Sequence, residues 1–273
     1  VLAPARTEIG ALGVTGSMGG DVGDLSHVLW IGGPAAAGKT TVSRLLARRH
    51  GLRWYSVDAH TWQYWDRAAA EGVTLPSSGP GEFDRGPMIR DDLLSLPRPL
   101  VVVEGALITP DLATPSSNAV WLMPSQEEQR ARLEKRHPEG VHHGYLWGWQ
   151  LIRTQLDAAP DAATIVVDNQ TVNQTIAAVE HRFAELIAAG PTARSKRERQ
   201  HLLRYANEVA VTHSLTGLAR QPAPPDVSTL VRAFDCECAE PTCDALVDLP
   251  VSDAAAVLTD PPPALFAPGH CAL

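Results

Sequence analysis

A short apolar run, His27–Gly32 (HVLWIG), passes into Gly33-Pro34-Ala35-Ala36-Ala37-Gly38-Lys39-Thr40. Then comes Thr41–His50 (TVSRLLARRH), a helical pattern stopped by Gly51. No other feature constrains the fold as strongly. A wholly apolar strand is covered on both faces, and a strand that leads straight into a helix returns by a crossover. The pattern then repeats. Arg53–Val57, Leu100–Val103, Ala119–Met123 and Thr164–Val167 read as four more strands. Helical patterns fall at 59–71, Pro87–Leu96, Gln126–Arg136, Trp147–Ala158 and Thr171–Ala189, and residues 74–86 are rich in Pro, Gly and Ser and read as a loop. This alternation predicts an α/β unit over 24–190, three layers deep, around a parallel five-stranded sheet. Residues 1–23 show no periodicity and read as a disordered leader.

The segment Gly33–Thr40 fits G-x-x-x-x-G-K-T in full. A strand before it and a helix after it are the context in which that spacing has a mechanism. Glycines let the backbone wrap around phosphates. The helix N-terminus aims N–H groups and the positive end of its dipole at them. Residues Gly33, Pro34, Ala35, Ala36, Ala37, Gly38, Lys39, Thr40 and Thr41 are therefore the expected nucleotide-binding stretch. Lys39 would neutralise the β- and γ-phosphates, and the Thr40 hydroxyl would ligate Mg2+.

On these residues the chain resembles the P-loop NTPase superfamily. The order strand, loop, helix, strand-Asp, variable helices, strand, Arg-bearing helix is similar to its small-molecule kinase branch (adenylate, shikimate and gluconate kinases, chloramphenicol phosphotransferase). The resemblance implies an ATP- and Mg2+-dependent phosphotransferase acting on the hydroxyl of a small molecule. It implies that Asp58, after the second strand, lies across from the γ-phosphate and takes or orients the acceptor's proton. A plain helix N-cap is the competing reading of Asp58. Glu104 ends the third strand, where such proteins carry a Mg2+-associated carboxylate, usually Asp. It is otherwise a strand-end surface residue. The helix at 126–136 matches the lid region, so Arg130, Arg132 and Arg136 are candidates for stabilising phosphate charge. Positions 132 and 136 share a face, whereas 130 does not. The same helix also reads as a solvated, salt-bridged one, through Glu127, Glu128 and Glu134. The acceptor would meet residues 59–90, where Trp62 and Trp65 either stack on a ring or pack in the core, and where Arg85 and Arg90 could anchor an anion.

Composition matters most toward the C-terminus. The chain has 273 residues and a formal charge of −8, which speaks against a general nucleic-acid coat. That charge is uneven. Residues 190–220 hold six basic and two acidic residues, whereas 221–273 hold one basic residue, Arg232, against eight acidic ones. Ala193 to about Leu215 reads as a long helix. It is basic over Arg194–Arg204, the one stretch where nucleic acid could bind, and QPAPP at 221–225 reads as a linker. All four cysteines follow residue 235. Cys236, Cys238 and Cys243 with His270 match a structural Zn2+ site, with Cys271 competing for the fourth place and metal-free thiols as the alternative. A strand at Ala245–Val251 and a helix at Ser252–Leu258 would fill the span between.

The chain thus divides into 1–23, a kinase-like unit at 24–190, a basic helix and linker at 191–225, and a small α+β zinc module at 226–273. That last region resembles one found in actinobacterial proteins of unassigned role, behind varied N-terminal domains. No apolar run is long enough to span a bilayer, and no basic-then-apolar signal opens the sequence, so the expected compartment is the cytoplasm. A regulatory ATPase that uses the basic helix and zinc module as a binding arm is the alternative function.

Overall fold

The computed structural model describes residues 24–77, 79, 83–259 and 264–271; the leader at 1–23 lies outside them. Five parallel strands form one sheet in the order β2-β3-β1-β4-β5. They are β1 (Val28–Gly32), β2 (Arg53–Ser56), β3 (Val101–Glu104), β4 (Ala119–Met123) and β5 (Thr164–Val166). The order puts β1 in the centre, between β3 and β4. That explains why β1, β3 and β4 are buried at every position, while β5, at an edge, is exposed at Thr164 and Val166. The predicted α/β class and five-stranded parallel sheet are what the structure has.

The pleat sends alternate side chains to opposite faces. Leu29 and Ile31 of β1 join Val102, Val120 and Leu122 on one face. There they meet Val42 and Leu46 of α1 (Lys39–His50) and Ile176, Val179 and Phe183 of α6 (Val172–Ala189). Val28 and Trp30 point the other way, with Val101, Val103 and Trp121. They pack on α2 (Thr61–Ala70) through Tyr64 and Ala68, on α3 (Gly86–Ser95) through Ile89 and Leu93, and on α5 (His143–Asp157) through Ile152 and Leu156. The result is three layers. α4 (Gln126–Arg136) follows β4, with Ser125 accepting from the Glu128 N–H at its start.

The long helix α7 (Lys196–Leu218) starts at a capping box made by Ser195 and Glu198. Its Ala206 belongs to the sheet-side core with Leu46 and Trp54, and its Val211 to a second core with Phe234, Val251, Ala254 and Leu265. One helix therefore links two cores. The second core is covered by an antiparallel pair, β6 (Val231–Asp235) and β7 (Leu246–Pro250), and by α8 (Val251–Thr259). The helix and strand expected after Cys243 are present; β6 is an addition to the sequence reading.

Candidate functional site

The loop after β1 takes the backbone turns its sequence allows. Gly33 and Gly38 have φ of +133° and +90°, in the region that favours glycine. At Gly33 close approach adds a second reason: a Cβ there would lie 2.3 Å from the Leu122 carbonyl oxygen. Gly38 is the N-cap of α1 and offers no side chain, so the first N–H groups of the helix stay open toward the loop. Lys39 is 5% exposed, and its Nζ donates to the Pro34 carbonyl at 2.9 Å. Ala37 is turned into the sheet-side core.

Thr40 sits one residue into the helix and donates to Glu104 Oε2 at 3.1 Å. Glu104 is 1% exposed, and its Oε1 has no hydrogen-bond partner among the described residues. Burial first, and the neighbouring Asp58 charge second, push its pKa up to about 7, against the lowering effect of Lys39, Ser56 and Thr40. A hydroxyl, a buried carboxylate with one orphaned oxygen and a lysine charge fit a hydrated Mg2+ with its phosphates.

Asp58 lies past the end of β2. Its two carboxylate oxygens accept from the Ala106 N–H, each at 3.1 Å. The side chain does not cap α2, which begins at Thr61 with His60 as N-cap. Gly105 makes this possible, since a Cβ there would lie 2.8 Å from Val57 Cβ and 3.3 Å from Asp58 Oδ1. Arg85, at the start of α3, is 3% exposed, donates to Thr61 Oγ1 at 2.9 Å and feels the Asp58 charge.

These groups border one cavity of about 730 Å³. The loop and the start of α1 line it with Gly38, Lys39, Thr40 and Thr41. Asp58, Thr61, Trp62 and Arg85 also line it, as do Arg136, Tyr145 and His213. The three lid candidates part company. Arg136 is exposed at the cavity. Arg132 is tied down, donating to the Ala36 carbonyl at 3.3 Å, the Val167 carbonyl at 2.9 Å and Glu128 at 2.8 Å, so it braces the loop from behind. Arg130 borders a different surface groove, with Glu127, His143 and Trp147, because α4 is amphipathic and its position 130 faces away from the loop. Gln129, buried between them, donates to the Ala35 and Tyr145 carbonyls. Arg90 donates to Thr114 Oγ1 and the Asp111 and Leu112 carbonyls, outside this cavity. Trp62 borders the cavity, and Trp65 packs T-shaped with Phe83, the ring centroids 6.2 Å apart.

Sequence reading missed Gly105, Gln129, Tyr145 and His213. Gly105 had a local signal, a glycine next to a strand-ending acid. His213 had none, since it arrives on α7 from 155 positions beyond Asp58.

A second cluster lies on the far side of α1. One ligand atom each from Cys236, Cys238, Cys243 and His270 fall within 4.8 Å of one another. His270 Nδ1 is 3.4 Å from Cys236 Sγ and 3.5 Å from Cys243 Sγ. Tetrahedral Zn2+ with ordinary bond lengths sets sulfur and nitrogen about 3.6 Å apart, so the donor set and spacing suit such an ion. Cys271 is exposed and outside the group. The Cys238 thiol titrates low, at about 7: burial raises it, but the Glu240 N–H, His270 and the neighbouring thiols outweigh burial. Cys243 is pushed up to about 11, by burial first.

No family model and no curated protein matches this chain. Among solved structures, a gluconokinase from Sinorhizobium meliloti 1021 is similar at 19% identity and a TM-score of 0.38, covering 59% of this chain and 93% of that one. A protein described as uncharacterised, from Eubacterium ventriosum ATCC 27560, is similar at 13% identity and a TM-score of 0.36, covering 59% of this chain and 98% of that one. Among the described residues no helix is long and apolar enough to cross a membrane.

Proposed function

We propose that this chain is an ATP- and Mg2+-dependent phosphotransferase that acts on a hydroxyl group of a small molecule. One observation carries the reading: the glycine-rich loop with Lys39 and Thr40 and a separate carboxylate, Asp58, border the same cavity. ATP lays its β- and γ-phosphates on the N–H groups at the start of α1, and Lys39 exchanges the Pro34 carbonyl for them. Mg2+, when bound through Thr40 and near Glu104, spreads the phosphate charge. Asp58 orients the acceptor hydroxyl and accepts its proton as the acceptor oxygen bonds to the γ-phosphorus. The bond from that phosphorus to the β,γ-bridging oxygen breaks, and ADP leaves. Arg136 neutralises the transferring group. Buried Arg85 beside Asp58 favours an acceptor that carries an anionic group as well as its hydroxyl.

The Cys3His group is proposed to hold one Zn2+, and reduced thiols suit a cytoplasmic protein. The regulatory-arm alternative is not favoured: three of the five Lys and Arg side chains of 194–204 are engaged within the chain, with Lys196 paired to Glu240, Arg199 donating to the Arg48 carbonyl and Arg204 to the Val257 carbonyl.

The test is ADP release across a panel of sugars, nucleosides and hydroxy acids. Lys39→Ala should lose measurable ATP binding. Asp58→Asn should keep ATP affinity and lose at least 100-fold in transfer to the acceptor. Turnover retained by Asp58→Asn would remove Asp58 from the chemistry.

A further inference from the structure

The run Asp235-Cys236-Glu237-Cys238 alternates acid and thiol where β6 ends and the chain turns. The two thiols face His270 and Cys243. The two acids face the rest of the protein. Asp235 is paired with Arg44 at 2.6 Å and Arg48 at 2.8 Å, both on α1, the helix that opens with Lys39 and Thr40. Glu237, fully buried, accepts from Asn207 of α7 at 2.9 Å and lies 3.6 Å from Arg204 of the same helix.

The backbone of the ligand loop is held as well. Arg48 donates to the Cys243 carbonyl at 2.6 Å, the Ala245 carbonyl at 3.4 Å and the Cys236 carbonyl at 3.5 Å. Asn207 donates to the Asp235 carbonyl and accepts from the Asp235 N–H. A loop ordered by its ligands therefore grips α1 on one side and α7 on the other. Residues of these elements also enclose a small cavity between α1 and α7, lined by Leu52, Trp54, Leu203 and Ala206 among others.

At its far end α7 reaches the acceptor side of the main cavity. His213 borders that cavity, and its Nδ1 is 3.2 Å from the Ala59 carbonyl oxygen. Just after the helix, Arg220 lies over the Trp62 ring, 4.7 Å from its centroid, and is paired with Asp66 of α2. Trp62 is itself a wall of the cavity. The acceptor wall thus includes residues that only a seated α7 can supply.

We propose that the Cys3His metal centre is a staple that seats α7 against α1, and that the seated α7 completes the acceptor site through His213 and the Arg220–Trp62 contact. The staple rests on the Zn2+ reading given above. No step of phosphoryl transfer passes through the metal. Its place is mechanical: the ligands fix the loop, the loop's acids and carbonyls fix two helices, and one helix closes the pocket.

Hydrogen exchange on the full chain tests this without knowledge of the acceptor. Three samples are compared: the Zn2+-loaded protein, the protein after chelation, and a loaded Asp235→Asn/Glu237→Gln double variant that keeps every metal ligand. Co2+ substitution checks the site itself, through thiolate charge-transfer and tetrahedral d–d bands and a stoichiometry of one ion per chain. The double variant should keep those bands unchanged. Chelation and the double variant should both speed exchange at least tenfold in peptides covering 204–218 and 59–66, with β1 and α6 unchanged. If no ion binds, the Zn2+ reading falls and the staple with it. If one ion binds and 204–218 exchange alike with and without it, the staple alone falls. A uniform rise that includes β1 also overturns it, because the ion would then be a requirement of the whole fold. If the double variant exchanges like the loaded wild type, the two acids are not the grip.

Discussion

Glu104 is the residue at which structure and chemistry pull hardest against each other. A carboxyl that titrates at about 7 instead of the ordinary 4.5 binds a proton more tightly folded than unfolded. Between those two values the folded state holds more protons, so the free protein loses stability as pH rises from about 4.5 to about 7, and loses no more above that. The amount is on the order of 3 kcal/mol, one pKa unit being about 1.4 kcal/mol. On the proposed reading, Mg2+ bound near Glu104 would reverse the preference, since a nearby cation favours the charged form. Binding of Mg2+ and ADP at pH 6 should therefore release protons, with a binding enthalpy that depends on the buffer's own ionisation heat, and should release few at pH 8. Glu104→Gln should remove this fall in the urea midpoint of the free protein between about pH 5 and 7 and weaken the Mg2+ dependence of ADP binding. Buffer-independent enthalpies at both pH values would mean that Glu104 does not titrate on binding.

At the scale of elements, the helix starts carry stability that can be read from the sequence. Ser195 accepts from the Glu198 N–H, and Glu198 accepts in return from the Ser195 N–H. Ser195→Ala should lower the unfolding free energy by about 1 kcal/mol, with the denaturant slope unchanged. A change below a few tenths would mean that the tertiary contacts of α7, not its cap, set its start. Capping boxes, glycine-rich turns and continuous apolar strands act through neighbours in sequence, which is why β1 to β5, α1 and the whole loop from Gly33 to Thr41 were legible. Boundaries were less so. α5 begins at His143 rather than at Trp147, because the His142 side chain accepts from the Gly144 N–H and caps a turn that a glycine-containing sequence does not advertise. β6 (VRAFD) escaped notice because its first two positions, Val231 and Arg232, are both exposed and break the alternation, and its pairing partner lies beyond the cysteine loop. The site was legible where the loop builds it and illegible where tertiary orientation does. The faces of α4 decide that Arg132 braces the loop, that Arg136 borders the cavity and that Arg130 faces elsewhere, and nothing in an i,i+4 pattern says which face meets the loop.

The whole molecule rearranges what the sequence kept apart. The acidic stretch after residue 220 places Asp235 against Arg44 and Arg48, almost 190 residues earlier, and Glu237 and Glu240 against the basic start of α7. Ala206 and Val211 put α7 in two cores at once. The C-terminal unit is therefore joined to the sheet by buried charge and shared packing, and the metal-loaded chain should unfold in urea as one transition rather than two. Arg48 is the most exposed to challenge of these links, in the energetic sense. Its side chain is 3% accessible, and its removal leaves the Asp235 carboxylate with Arg44 alone and takes a donor from the Cys243 carbonyl. A buried pair broken from one side costs about 3–5 kcal/mol, whereas a pair replaced on both sides costs much less. Arg48→Met should therefore destabilise the loaded protein by that amount and split the transition, with the early phase reporting the C-terminal unit. The Arg48→Met/Asp235→Asn double variant should lose less than the sum of the two single losses, since each single change breaks the same Arg48–Asp235 contact. Fluorescence and far-UV circular dichroism followed through the same titration separate the two phases. Additive losses in the double variant would show that Arg48 and Asp235 stabilise the protein independently, and a single unsplit transition for Arg48→Met would show that shared packing at Ala206 and Val211 is enough to hold the two cores together.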